Sequence, residues 1–298
     1  MHKVLSVQGL SKRYTSKLAL NNFSIDVEKG QVVGILGPNG SGKTTFLSIV
    51  LGLRSQTKGE FSWFGNPNGF ISGTRIGALV EVPYYFPYLT LEDNMRLSAL
   101  VKNLPASSIY SVIERVGLTA NLKTRLNAFS LGMKQRMAIA QTILGSPEVI
   151  VLDEPTNGLD PEGVVEVRKL INELSYNGQT VIVASHNLDE IQRICSHVAI
   201  LKGGELISSG LVSQLLSLAK VAVIEVDKPQ LLLQQINKLS GLELFEYHGN
   251  LFTLLINNHT NASSLVNNIG LLGIGVVNLQ LRNLTLEEFF IHLVRSKK

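Results

Sequence analysis

Gly37-Pro38-Asn39-Gly40-Ser41-Gly42-Lys43-Thr44-Thr45 is the stretch that decides how this chain is read. Before it runs Gln31-Val32-Val33-Gly34-Ile35-Leu36, an apolar segment of the length of a buried strand. After it runs Phe46-Leu47-Ser48-Ile49-Val50-Leu51, which predicts the first turns of a helix. A Gly-x4-Gly-Lys-Thr loop between a strand and a helix is a phosphate cradle. Gly37, Gly40 and Gly42 allow backbone angles that other residues avoid and leave room for phosphate oxygens. Successive N–H groups and the helix N-terminus point at the anion. Lys43 supplies a positive charge for the β- and γ-phosphates, and the Thr44 hydroxyl suits Mg²⁺. A chance glycine-rich turn would not bring both the strand and the helix with it. All nine residues are therefore expected to line a nucleoside triphosphate.

Working outward, the next carboxylates belong to the same chemistry. Glu148-Val149-Ile150-Val151-Leu152-Asp153-Glu154-Pro155 reads as an apolar strand ending in two acids. Strand ends carry acids for solubility, but beside a phosphate loop the pair has a sharper meaning. Asp153 is placed to hold Mg²⁺, and Glu154 to polarise the attacking water. Thr180-Val181-Ile182-Val183-Ala184-Ser185 is a further buried strand with His186 at its carboxyl end, where open α/β sheets bind ligands. Between these strands, Ser130 is a plausible N-cap for the helix that follows, and Gly132 opens that helix N-terminus to an anion. Gly158-Leu159-Asp160-Pro161 is a turn before a helix over about 162–176. Tyr14, near the start of the chain, is either ordinary packing or a base-stacking aromatic. Ile76-Gly77-Ala78-Leu79-Val80-Glu81 reads as a strand ending in a carboxylate. It leads into Val82-Pro83-Tyr84-Tyr85-Phe86-Pro87-Tyr88, too rich in proline and aromatics for a regular element. That loop is either folded onto its own core or a partner-binding surface.

Bulk properties bound the rest. The chain has 298 residues, 45% hydrophobic and 17% charged, enough for a large domain and a small one with a buried parallel sheet. No stretch approaches about 18 uninterrupted apolar residues. The start of the chain has no signal-peptide anatomy, and a single Cys195 cannot form an internal disulfide. Both point to the cytoplasm. Net charge is +4, from 27 basic and 23 acidic residues. With no long basic run and no interleaved aromatics, nucleic acid is not an expected partner. Residues 3–7 and 22–28 and the segment around Phe61 predict an antiparallel layer. Helices are expected over about 91–102 and 107–116, and a hairpin turns at Gly203-Gly204. From about 219 the order β-α-β-β-α-β-α predicts a small α+β unit of ferredoxin-like type.

These motifs, in this order, resemble the ATP-binding subunit of an ABC transporter. The resemblance covers residues 1–218; residues 219–298 are expected to be an accessory domain. It implies a P-loop NTPase fold, an α/β RecA-like core with an antiparallel β layer and a helical subdomain. Residues 37–45 match the Walker A loop and 149–154 the Walker B strand. Ser130-Leu131-Gly132-Met133-Lys134-Gln135 matches the signature, Asp160 the D-loop, His186 the switch histidine and Tyr14 the A-loop aromatic. Two departures stand out. The signature reads Phe-Ser-Leu-Gly-Met in place of Leu-Ser-Gly-Gly-Gln, and Glu81 stands where the family has the Q-loop glutamine. A carboxylate there can still approach Mg²⁺ or water, but it accepts without donating. Together with the Pro/Tyr-rich loop and the C-terminal extension, these variants are similar to those of bacitracin and lantibiotic exporters. The resemblance implies that two copies stack head to tail around two ATP. One chain supplies Lys43, Thr44, Asp153, Glu154, Glu81, His186 and Tyr14 to each site, and the other Ser130, Gly132 and Asp160. It also implies a separate integral-membrane permease, docked near 81–89 and 91–116, that holds the chain at the cytoplasmic side of the membrane. The competing readings are a non-transport ABC ATPase and an ATP-dependent regulatory module. The single cassette and the absence of sustained heptads weigh against the first; intact Glu154 and His186 weigh against the second.

Overall fold

The computed structural model describes residues 2–67, 75–80, 83–217, 219–236, 239, 241–257 and 260–296. The chain divides into two compact units, Met1–Ser209 and Gly210–Lys298.

The first unit opens with two long strands, β1 (Lys3–Tyr14) and β2 (Lys17–Glu28), followed by β3 (Val32–Leu36) and helix α1 (Lys43–Val50). Next come β4 (Lys58–Trp63), β5 (Asn66–Pro67) and β6 (Ile76–Leu79), then a helical stretch of α2 (Leu91–Val101), α3 (Ser108–Arg115) and α4 (Leu131–Ile143). Strand β7 (Val149–Asp153), α5 (Pro161–Tyr176), β8 (Thr180–Ser185), α6 (Leu188–Ile194), β9 (His197–Lys202) and β10 (Glu205–Leu211) follow. The strands form two sheets. One has the order β2-β1-β4-β5 and is antiparallel; the other has the order β10-β9-β3-β8-β7-β6. In the second, β6, β7, β8, β3 and β9 are mutually parallel. β3, β7 and β8 are buried along their whole length, which explains why they read as unbroken apolar runs rather than alternating ones. β10 joins at the edge through the two-residue turn Gly203-Gly204, where both residues have positive φ (59° and 87°), as a tight hairpin requires.

Helix α1 links the two sheets. Its Phe46, Leu47, Ile49 and Val50 share one core with Leu5, Phe23 and Trp63 of the antiparallel sheet and with Val33, Val151 and Ile182 of the parallel one. The Phe23 and Phe46 rings lie 4.8 Å apart, and Trp63 Nε1 donates to Val50 O at 2.6 Å. Each such fully buried large side chain contributes about 1.5–3 kcal/mol. The helix that follows the phosphate loop is therefore clamped from both sides.

In the second unit α7 (Val212–Leu216) precedes β11 (Lys220–Val226), α8 (Pro229–Gln235), β12 (Leu242–His248), β13 (Leu251–Ile256), α9 (Ala262–Gly270), β14 (Val276–Asn283) and α10 (Leu286–Ser296). The sheet order is β12-β13-β11-β14, with antiparallel neighbours. β11 and β12 are parallel with β13 between them, and β13 and β14 are parallel with β11 between them. These are two interleaved split β-α-β units. Their core, around Ile224, Leu232, Phe252, Leu254 and Leu265, is separate from that of the first unit. The change of sequence texture near 219 coincides with β11, whereas the unit itself starts at Gly210, because α7 packs with α10.

Candidate active site

The carboxyl ends of three adjacent parallel strands set the site. Pairing of β3 with β8 puts Leu36, the residue before the glycine-rich loop, opposite Ser185. Pairing of β7 with β8 puts Asp153 opposite Ala184. The loop after β3 then wraps tightly. A Cβ on Gly37 would lie 2.3 Å from Leu201 O, and one on Gly42, whose φ is +110°, would lie 2.6 Å from Ala19 O. Glycine is required at both places by space as well as by angle. Gly42 caps α1, and Lys43 and Thr44 are its first residues.

Lys43, Thr44, Asp153, Glu154 and His186 are brought together. Lys43 is buried, its Nζ donating to Gly37 O at 2.8 Å and lying 3.6 Å from Glu154 Oε1. Thr44 Oγ1 donates to Asp153 Oδ2 at 2.8 Å. Glu154 Oε2 is 2.8 Å from His186 Nδ1. Glu154 has a left-handed backbone, φ +48°, unusual for a residue with a side chain. Its N–H donates to Ala184 O at 2.9 Å, so the chain turns at the strand end while remaining tied to β8. Ser41 Oγ, within the loop, is buried without a hydrogen-bond partner. Ser185, which the motif reading passed over, donates from Oγ to Glu154 Oε2 at 3.4 Å and accepts from Asn187 N at 3.0 Å. Its signal in the sequence is a hydroxyl closing an otherwise apolar strand.

Ser130, Gly132 and Asp160 form a second group. Ser130 Oγ accepts from Met133 N at 3.2 Å and Asp160 Oδ1 from Gly163 N at 3.1 Å, so each caps the helix it precedes. Leu131, which replaces a glycine of the family signature, is 56% exposed. Its Cδ2 would lie 2.9 Å from a Cβ on Gly158, and Leu159 Cδ2 lies over Gly132. The signature and the Asp160 turn thus fit against each other within one chain. Tyr14 stands apart at the end of β1. Lys12 Nζ and Arg54 Cζ are 5.2 and 5.7 Å from its ring centroid, and Arg54 Nη1 donates to its hydroxyl at 3.4 Å. Glu81 lies outside the described residues.

An apolar groove of about 760 Å³ is lined by Tyr84, Tyr85, Phe86, Leu97, Val101 and Lys102 among others. Tyr84 and Val101 are 94% and 83% exposed. Lys102 Nζ donates to Gln141 O at 2.7 Å and Leu144 O at 2.9 Å, closing the C-terminal end of α4. Burial holds its ammonium below the usual lysine range.

A family profile described as ABC transporter matches residues 20–157. Over 204 residues the chain is 36% identical to the lantibiotic transport ATP-binding protein SrtF of Streptococcus pyogenes, covering 68% of this chain and 89% of that protein. Over 213 residues it is 39% identical to the bacitracin transport ATP-binding protein BcrA of Bacillus licheniformis, covering 70% and 69%. The structure of cbiO1 from Clostridium perfringens, part of the ABC transporter complex cbiONQ, aligns with a TM-score of 0.65 at 28% identity, over 72% of this chain and 90% of that one.

Proposed function

We propose, because this chain belongs to the family of ABC transporter ATP-binding subunits, that two copies of it close around two ATP molecules and that this closure drives export of a substrate through a separate integral-membrane permease. The chain is an ATPase of that family. The observation that carries the reading is the convergence of Lys43, Thr44, Asp153, Glu154 and His186 at the carboxyl ends of β3, β7 and β8.

Residues 37–45 and Lys43 hold the triphosphate. Lys43 now satisfies its charge on loop carbonyls and near Glu154, so phosphate oxygens are a better set of partners for it. Thr44 Oγ1 and Asp153 Oδ2, 2.8 Å apart, are hard oxygen donors of the kind Mg²⁺ takes. One or two such protein ligands, with phosphate and water, are its usual share. Held there, Mg²⁺ would supply charge neutralisation at the phosphoryl group being transferred. Glu154 takes a proton from the attacking water, and His186, 2.8 Å away, fixes the carboxylate and the γ-phosphate in line. Ser185 orients the same carboxylate. Glu81 is kept in this reading as a further carboxylate near the metal and the water, and Tyr14 as the aromatic that meets the base.

Ser130, Gly132 and Asp160 serve the partner copy. The helix start that Ser130 caps is exposed, which suits a site completed across two chains. ATP, with a γ-phosphate to share, then favours the closed pair and ADP does not. The groove beside Tyr84, Tyr85 and Phe86 supports permease docking: its exposed apolar lining is of the kind that seats a partner. Among the described residues no helix is long and apolar enough to cross a membrane. In this reading the permease is what holds the chain at the cytoplasmic face. Relatives named for lantibiotic and bacitracin transport support the transport role.

The test is Glu154→Gln. ATP binding and ATP-driven dimerisation are expected to persist while hydrolysis falls by about 10²–10⁴-fold. Turnover at the wild-type rate with saturating Mg-ATP would remove Glu154 as the base.

A further inference from the structure

We propose that the C-terminal unit pairs with its counterpart in a second copy of the chain through strand β14, edge to edge, joining two four-stranded sheets into one of eight. β14 and β12 are the two edges of the sheet, and they differ most in the charges they carry. β12 carries Glu243, Glu246 and His248 and has an irregular register between Leu244 and Glu246. Charges and bulges of this kind block the approach of another strand. β14 reads Val276-Val277-Asn278-Leu279-Gln280-Leu281-Arg282-Asn283, with no proline, lysine or acid. Its register against β11 is unbroken from Asn278 to Asn283 and shifts only at the start of the strand, between Val276 and Asn278. The only charge, Arg282, is already neutralised in its own chain by Glu288, through bonds of 2.5 and 2.8 Å. Val277 is 66% exposed at one end. β14 pairs on one side alone, so alternate N–H and C=O groups along its other side face outward.

The strand also complements itself. A two-fold axis at Gln280 in an antiparallel pair would set Gln280 against Gln280, Leu279 against Leu281 and Asn278 against Arg282 of the second copy. Leu279 and Leu281 pack on the core of the unit, so their pairing would extend one apolar layer across the junction. Asn278 and Gln280 are exposed; on the opposite face the two Gln280 amides would pair with each other, and each Asn278 would meet the other copy's Arg282 guanidinium. No like charges would meet in this register, whereas β12 would bring two glutamates of each copy to the junction. The chemistry of the edge therefore fits a second copy of this same strand.

The cassette pairing proposed above needs ATP, so the experiment is run on the full chain without nucleotide. Analytical ultracentrifugation at micromolar concentration is expected to show a dimer. Asn278→Lys with Gln280→Lys, both at exposed positions, is expected to weaken it at least ~10-fold, with an unchanged thermal melt and unchanged ATP binding. Gln280→Cys is expected to cross-link between copies with a short bismaleimide, and Glu246→Cys on the opposite edge is not. Cys195 is buried and will stay silent. A nucleotide-free monomer, a dimer indifferent to the lysines, or equal cross-linking at both edges would each overturn the proposal, and the last would point to a different surface.

Discussion

At the scale of single residues, the cost of the site is concentrated at Glu154. A side chain in the left-handed region costs on the order of 1–3 kcal/mol, and here it is balanced by the Glu154 N–H bond to Ala184 O and by His186 and Ser185 on the carboxylate. The turn swings the carboxylate back over the phosphate loop instead of continuing the strand. Lys43 is the complementary group. Lys43→Ala is expected to raise the dissociation constant for ATP by about 10–100-fold, the worth of a charge-assisted bond. Equilibrium binding to a fluorescent ATP analogue measures it, and an unchanged constant would reject the role. Lys43, Thr44, Asp153, Glu154 and His186 were legible before the structure because each sits at a fixed offset from an apolar strand. Ser185 was not legible. Its contact with Glu154 depends on the register of β7 against β8, a pairing of segments far apart in sequence. The exposed Leu131 fitting over Gly158 was hidden for the same reason.

At the scale of elements, the strands of the parallel sheet and most helices were plain from apolar runs, turns and the cap at Ser130. β1 and β2 were seen only in part. Register shifts between Val7 and Leu10 and between Leu10 and Lys12 interrupt the alternation that marks a strand. Strand order was unreadable, since nothing local tells β6 to lie beside β7. The packing of β6 on α4 was equally hidden, and Gly77 shows what it demands: a Cβ there would lie 2.1 Å from the backbone carbonyl of Thr142. Gly77→Ala is expected to cost about 1–3 kcal/mol, read as a lower urea midpoint. A second element-level device is Glu92 at the start of α2. Its carboxyl is held down to about 2, first by the hydrogen bond from Lys123 and then by that from Tyr110, with the charge of Arg96 adding, against the effect of burial. A depressed folded value means support that is complete above the unfolded value of about 4.3 and is lost as pH falls from there towards the folded one. Glu92→Gln is therefore expected to destabilise the chain at about pH 6, with the gap to wild type narrowing by about pH 3. Urea titrations at the two values compare them; a gap independent of pH would refute the assignment.

At the scale of the whole molecule, two cores imply two cooperative units. Trp63, the only tryptophan in the sequence, is buried in the first core, and Phe252 is fully buried in the second. Phe252→Ala is expected to destabilise the C-terminal unit by about 3–5 kcal/mol. Circular dichroism would then show an early transition that tryptophan fluorescence does not follow, with ATP affinity unchanged. A single coincident transition would mean that the two units unfold as one. Helix α4 has a different reach. Its thirteen residues make a rod of about 20 Å, with Ser130 at one tip and the Lys102 clamp at the other. Treated as a lever pivoting at the clamp, a tilt of about 5° carries Ser130 through roughly 1.7 Å. That is more than the tolerance of a hydrogen bond to a phosphate oxygen. On the proposed reading, a partner seated in the groove need only push on α4 close to the clamp for the far tip to engage or miss.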